Sequence, residues 1–272
     1  MEHIAELVKA RRSVRTFDGR AVSPDDLEKL SSFMKQIENP YGIPVEFKLL
    51  DGKTQKLKCP VVSGTDLYIG AKVPCVPHME EAVGYSFETL VLYAQSLGMG
   101  TVWVGGTMDR PAFERAMALA ENEKMPCMSP IGYPAPKMSL RESLMRKGVR
   151  ADSREPFLTL FYDGTFNTPL TPDRAGRLAY PLEMVRRAPS AVNKQPWRAV
   201  LRENAIHFYL EHTKGFVSEA VGDMQKVDLG IALCHFALAA KESDLEIQFH
   251  ISDPGITTEN NVEYFASYLL SR

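Results

Sequence analysis

Three short stretches carry residue types able to hold a flat, anionic ligand. Arg11, Arg12, Ser13, Val14, Arg15, Thr16 and Phe17 gather three guanidinium groups around a hydroxyl. Guanidinium forks grip phosphate oxygens in pairs and serine adds a neutral donor, so the segment suits a terminal phosphate monoester. The same run would also serve as a solvated helix end, where cations answer the negative C-terminal dipole. In the second stretch, Ala188 to Trp197, Pro189 and Pro196 stiffen a loop in which Ser190, Asn193 and Gln195 offer donors and acceptors. The third, Leu97 to Gly106, ends in Val104, Gly105 and Gly106, where missing side chains would let backbone amides approach a planar group. His78, His207, His212, His235 and His250 show neither ligand nor triad spacing, so no metal site and no catalytic dyad is expected.

The elements that position these stretches must come from 272 residues, 44% of them apolar, enough for one large domain or two small ones. Lys and Arg number 32 against 34 Asp and Glu, a formal charge of -2, which disfavours nucleic acid as a partner. Cys59, Cys75, Cys127 and Cys234 are spaced for neither zinc nor a disulfide framework, and a reducing cytoplasmic setting is expected. The opening Met1, Glu2, His3 leads into mixed charge without the apolar run of a signal peptide, and no segment has the length of a membrane span.

A short helix is predicted over Ile4 to Lys9, and another beginning at Ser23, which can cap, with Pro24 at the first helical position and Asp25 and Asp26 in the first turn. Val45 to Leu50 reads as a strand. From Met79 to Leu97, Val83, Phe87, Leu90, Val91 and Ala94 recur at helical spacing with little polar remainder, which predicts a helix buried on most sides. Thr101 to Val104 reads as a central strand, Asp109 and Pro111 start a further helix, and Met128 to Tyr133 and Phe157 to Tyr162 read as strands. The polar link Asp163 to Thr171 marks a division of the chain. Beyond it come a helix to Arg187, strands near Arg198 to Leu201 and Ile206 to Tyr209, and an apolar helix from Val227 to Lys241.

The two apolar helices repeat one another. With Gly84 laid on Gly230, Leu92 falls on Leu238, Ala94 on Ala240 and Met99 on Leu245 without a gap, and the following strand candidates around Trp103 and Phe249 coincide. Any two buried helices share Leu and Ala, so the repeat alone is ambiguous.

The motifs resolve it. Arg11 to Phe17 resembles the N-terminal flavin-phosphate motif of the nitroreductase superfamily, and Ala188-Pro-Ser-Ala-Val-Asn-Lys-Gln-Pro-Trp197 closely resembles its second signature. Met99 to Gly106 is similar to the family's strand and flavin-facing loop, Pro130 to Pro134 to its next strand, and Ser153-Arg-Glu-Pro156 to its C-terminal basic phosphate contact. The resemblance runs from Ile4 to Asp244. It implies an α+β fold, a nitroreductase-like α/β sandwich with two half-domains, residues 1–165 and 166–272, related by pseudo-two-fold symmetry around central helices. In the family's homodimers each flavin draws phosphate contacts from one subunit and Ala-Pro-Ser contacts from the other. Here the first half lacks the Ala-Pro-Ser signature near Asn39 to Phe47 and the second half lacks the Arg-Arg-Ser motif, so one complete site survives. The chain thus resembles pseudo-dimeric, single-chain nitroreductases.

Carried over by residue, the resemblance assigns Arg11, Arg12, Ser13, Arg15 and Arg154 to the phosphate and ribityl chain of FMN. It assigns Pro189, Ser190, Asn193 and Gln195 to the flavin from the second half, with Val104, Gly105 and Gly106 beside the ring. The acidic residue usual in that last loop is missing. The implied activity is electron transfer from NAD(P)H through FMN to a small acceptor such as a nitroaromatic or quinone, in a monomer acting as a pseudo-dimer, without nucleic acid or membrane as partners. A non-enzymatic or degenerate FMN-binding scaffold, and a reductive dehalogenase or flavin-modifying member of the superfamily, are the alternatives.

Overall fold

The computed structural model describes residues 1–271. In the first part of the chain, α1 (Ile4–Ala10) and α2 (Pro24–Met34) precede β1 (Glu46–Asp51), β2 (Leu67–Pro74), α3 (Met79–Ser96), β3 (Gly100–Thr101), α4 (Arg110–Met117), β4 (Glu123–Lys124), β5 (Met128–Gly132) and α5 (Leu140–Gly148). The strands form one sheet of order β1-β2-β5-β3, with β4 paired to β2 and all pairings antiparallel. The second part holds α6 (Phe157–Leu160), β6 (Phe161–Asp163), α7 (Pro172–Ala175), α8 (Ala179–Arg187), β7 (Trp197–Arg202), β8 (Ala205–Glu211), β9 (Val217–Ser218), β10 (Gly222–Asp223), α9 (Met224–Glu242), β11 (Ile247–His250) and β12 (Val262–Leu270). Its main sheet runs β11-β12-β8-β7-β6, antiparallel except where β6 joins β7. The fold is thus α+β.

Helix starts follow local chemistry. Ser23 caps α2 by accepting from the Asp26 N–H at 3.1 Å, and Asp109 caps α4 at the Ala112 N–H. The long helices obey a different constraint. Both α3 and α9 are apolar round most of their circumference, so each needs a partner on every side. They pack on each other, α3 also against β2, and α9 against α8, β7 and β8. At the crossing, a Cβ added to Gly84 would lie 2.0 Å from the Val227 carbonyl oxygen, and one added to Gly230 would lie 2.1 Å from that of Glu81. These contacts exchange under the same numbering offset that lays Gly84 on Gly230, as a pseudo-two-fold axis through the helix pair requires.

The structure departs from the sequence reading in three places. The strand expected over Thr101 to Val104 stops at Thr101, because the Val102 N–H turns to the Ser129 hydroxyl (3.0 Å); pairing resumes only at Val104, which exchanges two backbone bonds of 2.9 Å with Met128. Phe157 to Leu160 forms a helical turn instead of a strand, entered from Pro156, and only Phe161 to Asp163 joins the sheet. Leu67–Pro74, interrupted in its pattern by Gly70 and Lys72, is a central strand with Tyr68, Ile69, Ala71 and Val73 buried. Among the described residues no helix is long and apolar enough to cross a membrane.

Candidate functional site

The first motif follows α1 and runs beside the sheet edge, where the Val14 N–H donates to the Thr101 carbonyl at 2.9 Å. Its cations diverge in role. Arg12 donates to Glu142 of α5 at 2.7 Å, and the backbone N–H of Arg15 donates to the other carboxylate oxygen at 3.1 Å. Glu142 therefore fastens α5 across the motif. Arg11 turns inward with its side chain 7% exposed, its Nε 4.0 Å from the buried Glu88 carboxylate. Glu88 in turn accepts from the Trp103 indole at 3.0 Å and meets His235 Nε2 at 2.9 Å, while His235 Nδ1 meets the Met184 carbonyl. His235 is fully buried, with both ring nitrogens engaged within the core.

The Nε atoms of Arg11 and Arg15 are buried and find no hydrogen-bond acceptor among the described residues. Burial lowers the pKa of both, and the Arg146 charge lowers each further; Glu88 opposes the shift at Arg11, and Glu142 opposes it at Arg15. Arg154 is pushed down to about 10 by burial and then by the Arg11 charge. Its guanidinium donates to the carbonyls of Ala151, Ser153 and Arg187 and to the Asn193 side chain. Desolvated cations crowded together raise one another's energy, and an anion among them lowers it.

These groups line a cavity of about 310 Å³ shared by both halves. From the first half come Arg11, Arg12, Ser13, Arg15, Gly105 and Arg154; from the second come Pro189, Ser190 and Asn193. Trp103, Arg146, Met224, Asp228 and Ile231 also stand in the walls. A hollow of 780 Å³ beside Arg198 and Arg202 is larger, but it collects none of the motif residues. Val104, Gly106 and Gln195 stand outside the lining. Val104 is buried in its bridge to Met128 and Gly106 is exposed. Gln195 is buried, accepting from the Glu155 N–H at 2.9 Å, while its own N–H donates to Ser190 at 2.8 Å. It clips the loop to the neighbouring segment. Gly105 is placed by Arg110, which donates to the Gly105 carbonyl and, at 2.7 Å, to that of Met125.

The Ala188 to Trp197 loop is held under strain. Val192, Asn193 and Gln195 have φ of 45°, 59° and 50°. The left-handed region is unfavourable for a β-branched residue such as Val192, and strain of this kind persists only where surrounding bonds over-determine it. Asn193 donates to the Arg150 carbonyl at 2.8 Å, and the Ala191 N–H donates to Asp228 at 2.9 and 3.0 Å.

The sequence reading missed Glu142, Arg146, Glu88 and Asp228. For α5 a signal existed, since Ser139-Leu-Arg-Glu142 has capping-box spacing. Ser139 does cap, at 3.1 Å, but Glu142 reaches the arginine motif instead of the helix start.

The counterparts of two cavity residues under the helix repeat pack on one tyrosine. Trp103 and Met224 line the cavity, and their counterparts under the helix repeat are Phe249 and His78. Tyr41 packs against both, with ring centroids 4.9 Å from Phe249 and 5.2 Å from His78. It belongs to the loop standing where an Ala-Pro-Ser signature would otherwise lie, and Asn39 braces that loop by donating to the Ile43 carbonyl at 2.7 Å.

A family model described as "Putative TM nitroreductase" matches residues 3–240. No curated protein matches the sequence. Among solved structures, the "putative nitroreductase" of Thermotoga maritima MSB8 superimposes with a TM-score of 0.59 at 20% identity, over 99% of this chain and 93% of that one, and so shares the fold. A nitroreductase family protein from Clostridium novyi NT gives a TM-score of 0.43 at 20% identity over 50% of this chain and 87% of its own. An FMN-dependent nitroreductase from Clostridium difficile R20291 gives 0.42 at 18% identity over 52% and 94%.

Proposed function

The chain belongs to the "Putative TM nitroreductase" family, and from that premise we propose that it is an FMN-dependent oxidoreductase passing electrons from NAD(P)H to a small acceptor such as a nitroaromatic or a quinone. The observation that carries this reading is the pair of buried Nε donors on Arg11 and Arg15 with no acceptor among the described residues, at a cavity that Arg146 and Arg154 also line. A phosphate monoester would meet those donors and offset the mutual repulsion of the cations.

The residues present fit FMN. Arg11, Arg15 and Ser13 would hold its phosphate, with Arg154 and Arg146 adding charge and Arg12 keeping α5 in place through Glu142. Pro189, Ser190 and Asn193 would approach from the second half, and Gly105 leaves backbone beside the ring. Bound FMN supplies the two-electron redox chemistry. The chain's own part is to bind, to orient and to limit water. Burial of the Arg11 and Arg15 Nε atoms strengthens each phosphate contact, and the bonds that over-determine the strained loop keep its polar groups in one arrangement.

One FMN per chain, held between residues 1–165 and 166–272 of a single monomer in a reducing cytoplasm, completes the proposal. Tyr41 supports the stoichiometry, since its ring packs on Phe249 and His78, the counterparts under the helix repeat of two residues that line the cavity. The test is the absorption spectrum of the purified protein, followed anaerobically as NADH or NADPH is added, with flavin counted per chain after denaturation. Bleaching of a yellow protein carrying one FMN is expected. A colourless protein that cannot be reconstituted with FMN, or two FMN per chain, would contradict the reading.

A further inference from the structure

Asp228 sits early in α9, beside Met224 and Ile231 in the cavity wall, and it is 2% exposed. Its polar contacts are few. The Ala191 N–H lies 2.9 Å from one carboxyl oxygen and 3.0 Å from the other, and no cation stands within ion-pair distance among the described residues. An ionised carboxylate has roughly four lone-pair sites to satisfy. Sharing a single N–H leaves most of them without a protein partner at a buried position, whereas a neutral acid needs far less and retains one O–H donor. Burial holds the carboxyl well above the usual carboxylate range, the Asp223 charge pushes it further, and the Ala191 N–H opposes the shift. Its neighbours on the same face of α9, Met224 and Ile231, bring no side-chain O–H or N–H to the wall.

Resting on the flavin reading above, we propose that Asp228 is the proton donor to the electron acceptor, its carboxyl O–H bonding to an oxygen of a bound quinone and passing its proton to that oxygen on reduction. The balance is simple. A quinone that takes up one hydride equivalent, drawn originally from NAD(P)H, is a hydroquinone mono-anion. The Asp228 O–H bond then breaks, its electron pair stays on the carboxylate, and a new O–H bond forms on the quinone oxygen. Water returns the proton to Asp228 once the product has left. The substrate class this favours is one in which the reduced atom is itself an oxygen acceptor, as in a 1,4-quinone.

The experiment compares the FMN-loaded wild type with Asp228→Asn, whose amide oxygen can still accept from Ala191. The wild type should show the infrared stretch of a protonated carboxyl, shifted in D2O and lost in D228N. Reduction by NADPH, followed by stopped flow, should change by no more than about twofold, while re-oxidation by 1,4-benzoquinone should slow on the order of a hundredfold. Re-oxidation by ferricyanide, which takes electrons without a proton, should be unaffected. Should D228N fold poorly, Asp228→Ser, which keeps a donor but cannot release its proton at this pH, carries the same comparison. Absence of the carboxyl band from FMN-loaded wild type, unaltered quinone re-oxidation in the variant, or equal losses with quinone and ferricyanide would each overturn the inference alone. A wild type that takes up no FMN would instead overturn the flavin reading, and the inference with it.

Discussion

Gly84→Ala and Gly230→Ala should each destabilise the protein by about 2 kcal/mol, because two opposing effects at the helix crossing are unequal. Alanine is favoured over glycine inside a helix by about 1 kcal/mol. Against that, the added Cβ would meet the Val227 carbonyl oxygen at 2.0 Å from position 84, or the Glu81 carbonyl oxygen at 2.1 Å from position 230. Both neighbours are backbone of the facing helix, so no side-chain rotation relieves the clash and α3 and α9 must separate. Overpacking a tight core costs about 1–3 kcal/mol and occasionally more, and a backbone clash this close belongs at the upper end. The net loss corresponds to a fall of roughly 4–8 °C in Tm for a chain of this size. Gly148 is the control, since a Cβ there meets nothing within 4 Å. Gly148→Ala should leave Tm unchanged or slightly raised. Thermal unfolding followed by circular dichroism reads all three. If G84A and G230A melt with the wild type, the helices do not meet at these glycines and the pseudo-two-fold pairing is wrong.

Arg15→Ala should weaken FMN binding tenfold or more, about the worth of one charge-assisted contact, while riboflavin loses much less; equal losses in a fluorescence titration would remove the phosphate from Arg15. Tyr41→Phe should hold or raise stability, by up to about 1 kcal/mol, since the Tyr41 hydroxyl is buried without a partner among the described residues; a clear loss in denaturant unfolding would mean that the hydroxyl is satisfied. The wild type should lose stability relative to D228N as pH rises above about 4, the ordinary carboxyl value. Asp228 has its folded-state pKa raised by burial, so the folded chain binds more protons across that window; its contribution is fully present below the unfolded value and is lost as pH climbs toward the folded one. Parallel pH profiles for the two proteins would show that Asp228 is already ionised.

Much of the architecture was written in local and periodic features. Ser23 with Pro24, and Asp109 with its following proline, mark helix starts because a cap needs only neighbours within one turn. The apolar circumference of Met79–Ser96 and Met224–Glu242 required burial on all sides, and their gap-free repeat anticipated the crossing at Gly84 and Gly230. The arginine motif and the Pro189 to Trp197 loop were recognisable because their residue types are compact in sequence. Tertiary structure alone decided which of those residues share a wall. Arg12 is claimed by Glu142 and Gln195 by Glu155, partners set by how α5 and the loop dock and invisible to spacing. Val102 left the expected strand for the Ser129 hydroxyl, a choice that depends on a neighbouring strand and not on its own β-propensity. Leu67–Pro74 became a central strand because both its faces are covered, which removes the alternation that would have announced it. Asp228 reads in sequence as one polar residue on an apolar helix; its burial beside Ala191, and the raised pKa that follows, arise only when distant segments close around it.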